Sequence, residues 1–307
     1  MDRRTLLLCF ASLALTGCDL ERNKAVDYIA HLSNSADKIF RFGIHPYLNP
    51  LDMHKIYQPI INILEKNIKN IKFLLEASRD YADFERKLYN REFEFALPNP
   101  YQALRSISYG YDVLAKIVPD SDFRGIIVTR KDNNITNIKQ LEGHSISFPA
   151  PTALAATMMP LLYLQENGID VKKNIKMYFV GSQYSSILNA YSKSTLAAAT
   201  WAPPWRAWCK NNPEKASEMV VIAKTKPLIN NAIVARSDVQ KEIVSEVVKL
   251  LLNLNHTEDG KKLLENGSFD GFMPSNKQEY EIVDVFMSRF KKEICDPSEL
   301  SLIGKIA

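Results

Sequence analysis

The sequence predicts an α/β protein. From residue 38 onward short β-type runs alternate with helical patterns, and after Asp238 the helices gather. Two apolar strand-like runs, Gly125–Arg130 and Asn231–Arg236, also share one ending: Arg, then Lys or Ser, then Asp. Two such crossings would carry a chain into a second lobe and back out. Two unrelated strands of one doubly wound sheet satisfy the same pattern.

The elements follow in order. Lys38–Gly43 reads as a strand, leading into the loop Ile44–Pro50. Asp52 is placed to cap a helix running to about Lys69, with Ile56, Ile60 and Leu64 on one face. Ile71–Ala77 is a strand, Asp80–Asn90 a helix, and Glu92–Leu97 a strand ended by Pro98-Asn99-Pro100. Arg124–Thr129 is a strand, Ile135–Leu141 a short helix, and Ser145–Phe148 a strand running into Pro149-Ala150-Pro151. Thr152 opens a long apolar helix to about Asn167. Strand Lys176–Val180, helix Ser185–Lys193 and strand Leu196–Thr200 repeat the alternation. Met219–Ala223 and Asn231–Ala235 are further strands; Val239–Leu254, Asp259–Asn266 and Lys277–Glu293 are helices, the last amphipathic.

The amino terminus has the layout of a secretory signal: Arg3 and Arg4, an apolar run from Thr5 to Leu15, then small residues. That run is shorter than the roughly 20 residues a permanent span needs. Leu15-Thr16-Gly17-Cys18 resembles the lipobox of bacterial lipoproteins, which implies an acylated Cys18 as first mature residue, with 18–37 as a tether. An ordinary signal peptide that happens to carry a cysteine is the other reading. Asp19 resembles the signal that retains lipoproteins at the inner membrane.

Removing residues 1–17 leaves roughly 290, enough for two lobes. The formal charge falls from +4 to +3, because Arg3, Arg4 and Asp2 leave together. So small an excess, without a dense basic patch, argues against a nucleic-acid partner. Cys209 and Cys295 remain; their pairing is left open, with two free buried thiols expected. The five histidines are scattered, with no pair at ligand spacing and so no metal site. A Gly-rich phosphate loop, His-Glu-x-x-His and Gly-x-Ser-x-Gly are all missing from the sequence, which argues against an enzyme.

From Phe42 to Phe272 the chain resembles the phosphate, phosphite and phosphonate substrate-binding proteins of ABC importers. The resemblance rests on Phe42-Gly43-Ile44 with Tyr57 and Pro59, on Asp80-Tyr81-Ala82, and on Pro98-Asn99-Pro100-Tyr101. It continues through Ile127-Val128-Thr129-Arg130-Lys131-Asp132, Leu141-Glu142-Gly143, Pro151, Pro160 and Val180-Gly181-Ser182. It implies a two-lobed periplasmic binding protein of type II, with a ligand cleft between lobes joined by two hinge crossings. One lobe would comprise 38–129 plus 226–295, the other 130–225, leaving 296–307 as a tail. It further implies a small-molecule ligand, an ABC permease in the inner membrane as partner, and no cofactor.

Family members that bind oxyanions place Ser-Thr-Ser-Gly at the start of the long helix, where hydroxyls and exposed N–H groups meet the anion. The matching positions here are Ala153, Leu154, Ala155 and Ala156, with Thr152 the nearest hydroxyl. Gln183 stands for a family histidine, Ala197 and Asn231 for aspartates, and Phe123 for an aromatic contact; Tyr81 is intact. Losing several such bonds, at roughly 1–3 kcal/mol each, would weaken oxyanion binding by orders of magnitude. The expectation is a small organic ligand in place of a tight oxyanion; a true phosphonate, phosphite or phosphate receptor, relying on the backbone N–H groups that any residue supplies, is the other reading.

Trp201 directly follows a strand, so it belongs at the cleft mouth. With Tyr47, Tyr81, Tyr101 and Phe123 it would form a wall for a planar or cationic ligand, or else fill the hinge. Trp205 and Trp208, one turn apart, are expected to pack their helix onto its own lobe. Asn99 and Gln183 would orient a neutral polar ligand; His45 would contact ligand or be solvated. A sensor subunit that docks a membrane receptor fits the same residues.

Overall fold

The computed structural model describes residues 38–306, which places the signal segment, the tether and Cys18 outside the described residues. Two six-stranded sheets organise the chain. The first contains β1 (Lys38–Ile44), β2 (Ile71–Glu76), β3 (Phe95–Leu97) and β4 (Tyr111–Val118), together with β10 (Ala232–Arg236) and β11 (Gly271–Pro274). Their order is β11-β4-β10-β3-β1-β2. The second holds β5 (Gly125–Arg130), β6 (Ser145–Phe148), β7 (Lys176–Phe179), β8 (Ala197–Trp201), β9 (Met219–Lys224) and β12 (Lys305–Ile306), in the order β12-β7-β6-β8-β5-β9.

Each sheet has a parallel core with one antiparallel strand inserted within it, and in the first sheet β11 adds a second at the edge, antiparallel to β4. In the first, β1 runs parallel to β2 and β3, while β10 inserts antiparallel between β3 and β4. In the second, β6 runs parallel to β7 and β8, while β5 inserts antiparallel between β8 and β9. The inserted strands are the two runs singled out in the sequence. The segments that lead into them lie side by side: Leu228 N donates to Phe123 O and Asn230 N to an Asp120 carboxylate oxygen, both at 2.9 Å.

Because β5 pairs along its length with β8 and β9, the second sheet begins at Gly125, ahead of the expected boundary at 130. The last residues form no free tail, since β12 pairs parallel to β7.

Helices cover the sheets: α1 (Pro50–Asn67), α2 (Tyr81–Tyr89), α3 (Pro100–Ile107), α4 (Met159–Glu166), α5 (Gln183–Tyr191), α6 (Ala202–Asn211), α7 (Pro213–Ser217), α8 (Lys241–Leu252), α9 (Glu258–Gly267), α10 (Glu281–Glu293) and α11 (Leu300–Ile303). The cap of α1 is Asn49, whose Oδ1 accepts from Asp52 N at 2.9 Å; Asp52 sits inside the first turn. Pro50 fits the first helical position because its missing N–H is needed by no bond there.

The expected long helix from Thr152 opens instead as a π-turn, Leu154–Met158, before continuing as α4. The Ala153 carbonyl accepts from both Thr157 N and Met158 N, at 2.7 and 3.4 Å. Pro160 supplies no N–H for an α-type bond to Ala156, so the ladder is interrupted where the turn widens. Gly125 makes room for this turn: a Cβ there would stand 2.5 Å from the Ala155 carbonyl oxygen.

In the first lobe, Phe40, Phe42, Phe73 and Phe95 pack ring on ring under α1. Ile146, Phe148, Leu161, Leu164 and Phe179 fill the second. Cys209 and Cys295 are free; Cys295 is buried and Cys209 only half-buried. Among the described residues no helix is long and apolar enough to cross a membrane, and no three His, Cys, Asp or Glu side chains gather to hold a metal.

Candidate functional site

The loops that follow β1, β2 and β3 face those that follow β6, β7 and β8, and two polar bridges join them. Tyr81, first residue of α2, accepts at its hydroxyl from Gln183 Nε2 at 3.2 Å. Gln183 opens α5, and its Oε1 accepts from Thr200 Oγ1 at 2.9 Å. Asn99 caps α3, its Oδ1 accepting from Gln102 N at 3.0 Å, while its Nδ2 donates to Thr152 O at 3.1 Å. Both bridges run from first to second lobe, and Tyr81, Asn99 and Gln183 are buried. Burial raises the Tyr81 phenol well above its ordinary pKa, against the bond from Gln183.

Aromatic rings close the hinge side. Trp201 lies with its ring centroid 5.5 Å from Tyr47 and 5.3 Å from Phe123, and all three are buried. Tyr47 shares a 2.8 Å hydrogen bond with the Tyr57 hydroxyl, and burial pushes its phenol up to about 12. These rings are buried and pack on one another at tilted angles, the hinge-filling arrangement. Beside them a water-sized gap of about 10 Å³ is lined by Tyr47, Trp201, Asn230 and Asn231. Asn231 is 1% exposed and its Oδ1 has no partner among the described residues. Tyr101 is drawn elsewhere: it accepts from Arg105 at 2.8 Å, and that guanidinium lies 5.5 Å from its ring. Trp205 and Trp208 stack at 5.5 Å within the second lobe.

His45 is buried, not solvated. Its Nδ1 lies 3.0 Å from Leu97 O, so the proton on Nδ1 donates to that carbonyl. Burial lowers its pKa to about 4, only partly offset by that bond, leaving the ring neutral at pH 7.

The opening of the second lobe's long helix presents Ala153, Leu154, Ala155 and Ala156, all buried and without a side-chain donor. Thr152 is the nearest hydroxyl; close by stands Glu85, which accepts from Gln102 Nε2 at 3.0 Å. Burial raises the Glu85 carboxyl above the usual glutamate value, despite the bond from Gln102 and the charge of Arg105. A carboxyl therefore stands beside the turn where an oxyanion would dock. Glu85 was missed in the sequence. Glu85 lies four residues after Tyr81, so the face-sharing spacing of a helix is the signal that could have found it.

Comparison with known proteins gives one answer at three levels. A curated relative, a probable ABC transporter phosphite binding protein of Prochlorococcus marinus, is 23% identical over 193 residues, which cover 59% of this chain and 65% of that relative's length. A binding protein component of an ABC phosphonate transporter from Pseudomonas aeruginosa superposes with a TM-score of 0.77 at 15% identity, covering 84% of this chain and 88% of its own. The Prochlorococcus marinus protein solved in complex with methylphosphonate superposes at 0.76 with 19% identity, covering 83% and 99%. These structures share the two-lobed type II fold. Residues 42–280 match the family of ABC transporter periplasmic phosphonate substrate-binding proteins, and to that family this chain belongs.

Proposed function

We propose that this protein is the solute-binding component of an ABC importer, held outside the cytoplasm by a lipid on Cys18. On this reading it delivers a small organic ligand to a permease in the inner membrane. The family supports the coarse role. One observation carries the finer reading: where an oxyanion would need donors, the helix opening offers Ala153, Leu154 and Ala155, none of which has a side-chain donor. An anion brought there meets a carboxyl group in place of hydroxyls, at a loss of roughly 1–3 kcal/mol for each missing bond.

A second reading, a true phosphite or phosphonate receptor, is favoured by the curated relative's name and by the backbone N–H groups that any residue supplies at a helix start. Thermal-shift titration at neutral pH separates the two. Phosphate, phosphite and methylphosphonate are expected to leave the melting temperature almost unchanged, while members of an organic panel, nitrogen-bearing compounds included, raise it. Micromolar stabilisation by phosphite or methylphosphonate establishes the second reading.

A further inference from the structure

We propose that two copies of this chain associate through α10, the two helices lying antiparallel about a two-fold axis beside Phe286. Helix α10 carries two apolar stripes. Val283, Met287 and Phe290 form the first and are buried within the protein. Ile282, Val285, Phe286 and Arg289 form the second, at the i, i+3, i+4, i+7 spacing of a helix-packing seam. This second stripe faces out: Ile282 is 53% and Val285 62% exposed. It makes one wall of a groove of about 360 Å³, and Met159 and Leu162 of α4 belong to the other.

The charges along the helix identify what covers it. The first turn holds Glu281 and Asp284, the last turn Lys291 and Lys292. Ion pairs within the chain take up Arg289, with Glu166, and Lys291, with Asp296, leaving Glu281 and Lys292 without one among the described residues. Both are exposed. They stand eleven positions apart, close to three full turns, and so share one flank of the outward stripe. In an antiparallel pair related by a two-fold axis, each flank meets the same flank of the other helix. Glu281 of each copy then faces Lys292 of the other, while Val285 and Phe286 meet near the axis. A parallel pairing would instead set Glu281 against Glu281. A helix of 13 residues is about 20 Å long, so the contact is small and the association belongs to the weak, transient class. No solute takes part in it, and it is independent of which ligand the cleft receives.

Sedimentation velocity of the full chain in a non-ionic detergent, over a concentration series at low salt, is the test. A monomer–dimer equilibrium with a dissociation constant on the order of 10–100 µM is expected. Val285→Asp should weaken it by roughly ten-fold or more, by placing a charge beside the axis. Glu281→Lys should weaken it by roughly three- to ten-fold, because repulsion replaces attraction at two symmetric places. Glu281→Lys combined with Lys292→Glu exchanges the signs and should return the constant to within about two-fold of its original value. A chain that stays monomeric, as it would if another partner covered this face, overturns the proposal. So does a dimer indifferent to Val285→Asp, or one that the exchange of charges fails to restore.

Discussion

Gln183 donates to the Tyr81 hydroxyl at 3.2 Å and accepts from Thr200 at 2.9 Å, so one buried amide fastens α5 both to its own sheet and to the opposite lobe. Where the family resemblance implies a histidine, this chain has an uncharged amide whose nitrogen and oxygen each hold a partner within the protein. The cleft is thereby latched by the chain's own side chains. Tyr81→Phe removes the acceptor and strands the Gln183 Nε2. The unfolding free energy is expected to fall by roughly 1–3 kcal/mol in urea, and small-angle scattering should record a larger maximum dimension. An unchanged profile by both measures would mean that the bond does not hold the lobes together.

The depressed pKa of His45 makes stability depend on pH in a definite direction. Between about 4 and the ordinary 6.5, the unfolded chain holds a proton on this ring that the folded protein does not. This contribution is therefore fully present above pH 6.5 and is lost as pH falls toward 4, with a size on the order of 3 kcal/mol. In His45→Asn the amide can still donate to Leu97 O but does not titrate. Urea midpoints measured at several pH values in that window should show a flatter slope for the variant.

Restoring hydroxyls to the helix opening should restore anion binding. Ala153→Ser, Leu154→Thr and Ala155→Ser combined, with Glu85→Gln to remove the nearby carboxyl, are expected to raise phosphite affinity by at least about ten-fold, each new bond being worth roughly 1–3 kcal/mol. Isothermal titration calorimetry reads this directly. If the four changes leave affinity where it was, the absence of donors at this turn is not what limits the site.

Lipid attachment is tested at Cys18. In Cys18→Ser cells the protein is expected to leave the membrane fraction or to keep its signal segment, as read by fractionation and intact mass. Unaltered membrane association and mass would rule out acylation at this residue.

The sequence made the parallel strands and most helices legible because each carries its own periodicity: the apolar face of α1 and the short runs of β6 and β7 are complete signals. β4 is not legible in the sequence although Tyr111, Val113, Ala115 and Ile117 alternate inward, because charged and apolar residues between them blur the pattern. The π-turn depends on an interrupted hydrogen-bond ladder and a close approach at Gly125, neither visible as hydropathy. At the site, the loops were legible from fold logic. Which polar atoms would be consumed was not, because the bonds from Gln183 to Tyr81 and from Asn99 to Thr152 join residues 102 and 53 positions apart. His45 reads as a loop residue in sequence and becomes buried only because Tyr47, Tyr81 and Phe84 gather round it.

The pairing of β12 with β7 has a mechanical consequence for how such a molecule opens. The chain passes between the halves a third time, after α10 of the first lobe, where Lys172 also donates to Ile294 O at 3.0 Å. A swing about the two paired segments near Asp120 and Leu228 must either flex the stretch after Ile294 or peel this last strand away. The β12–β7 pairing is thus a third link between the halves, which any opening about the two hinge segments has to accommodate.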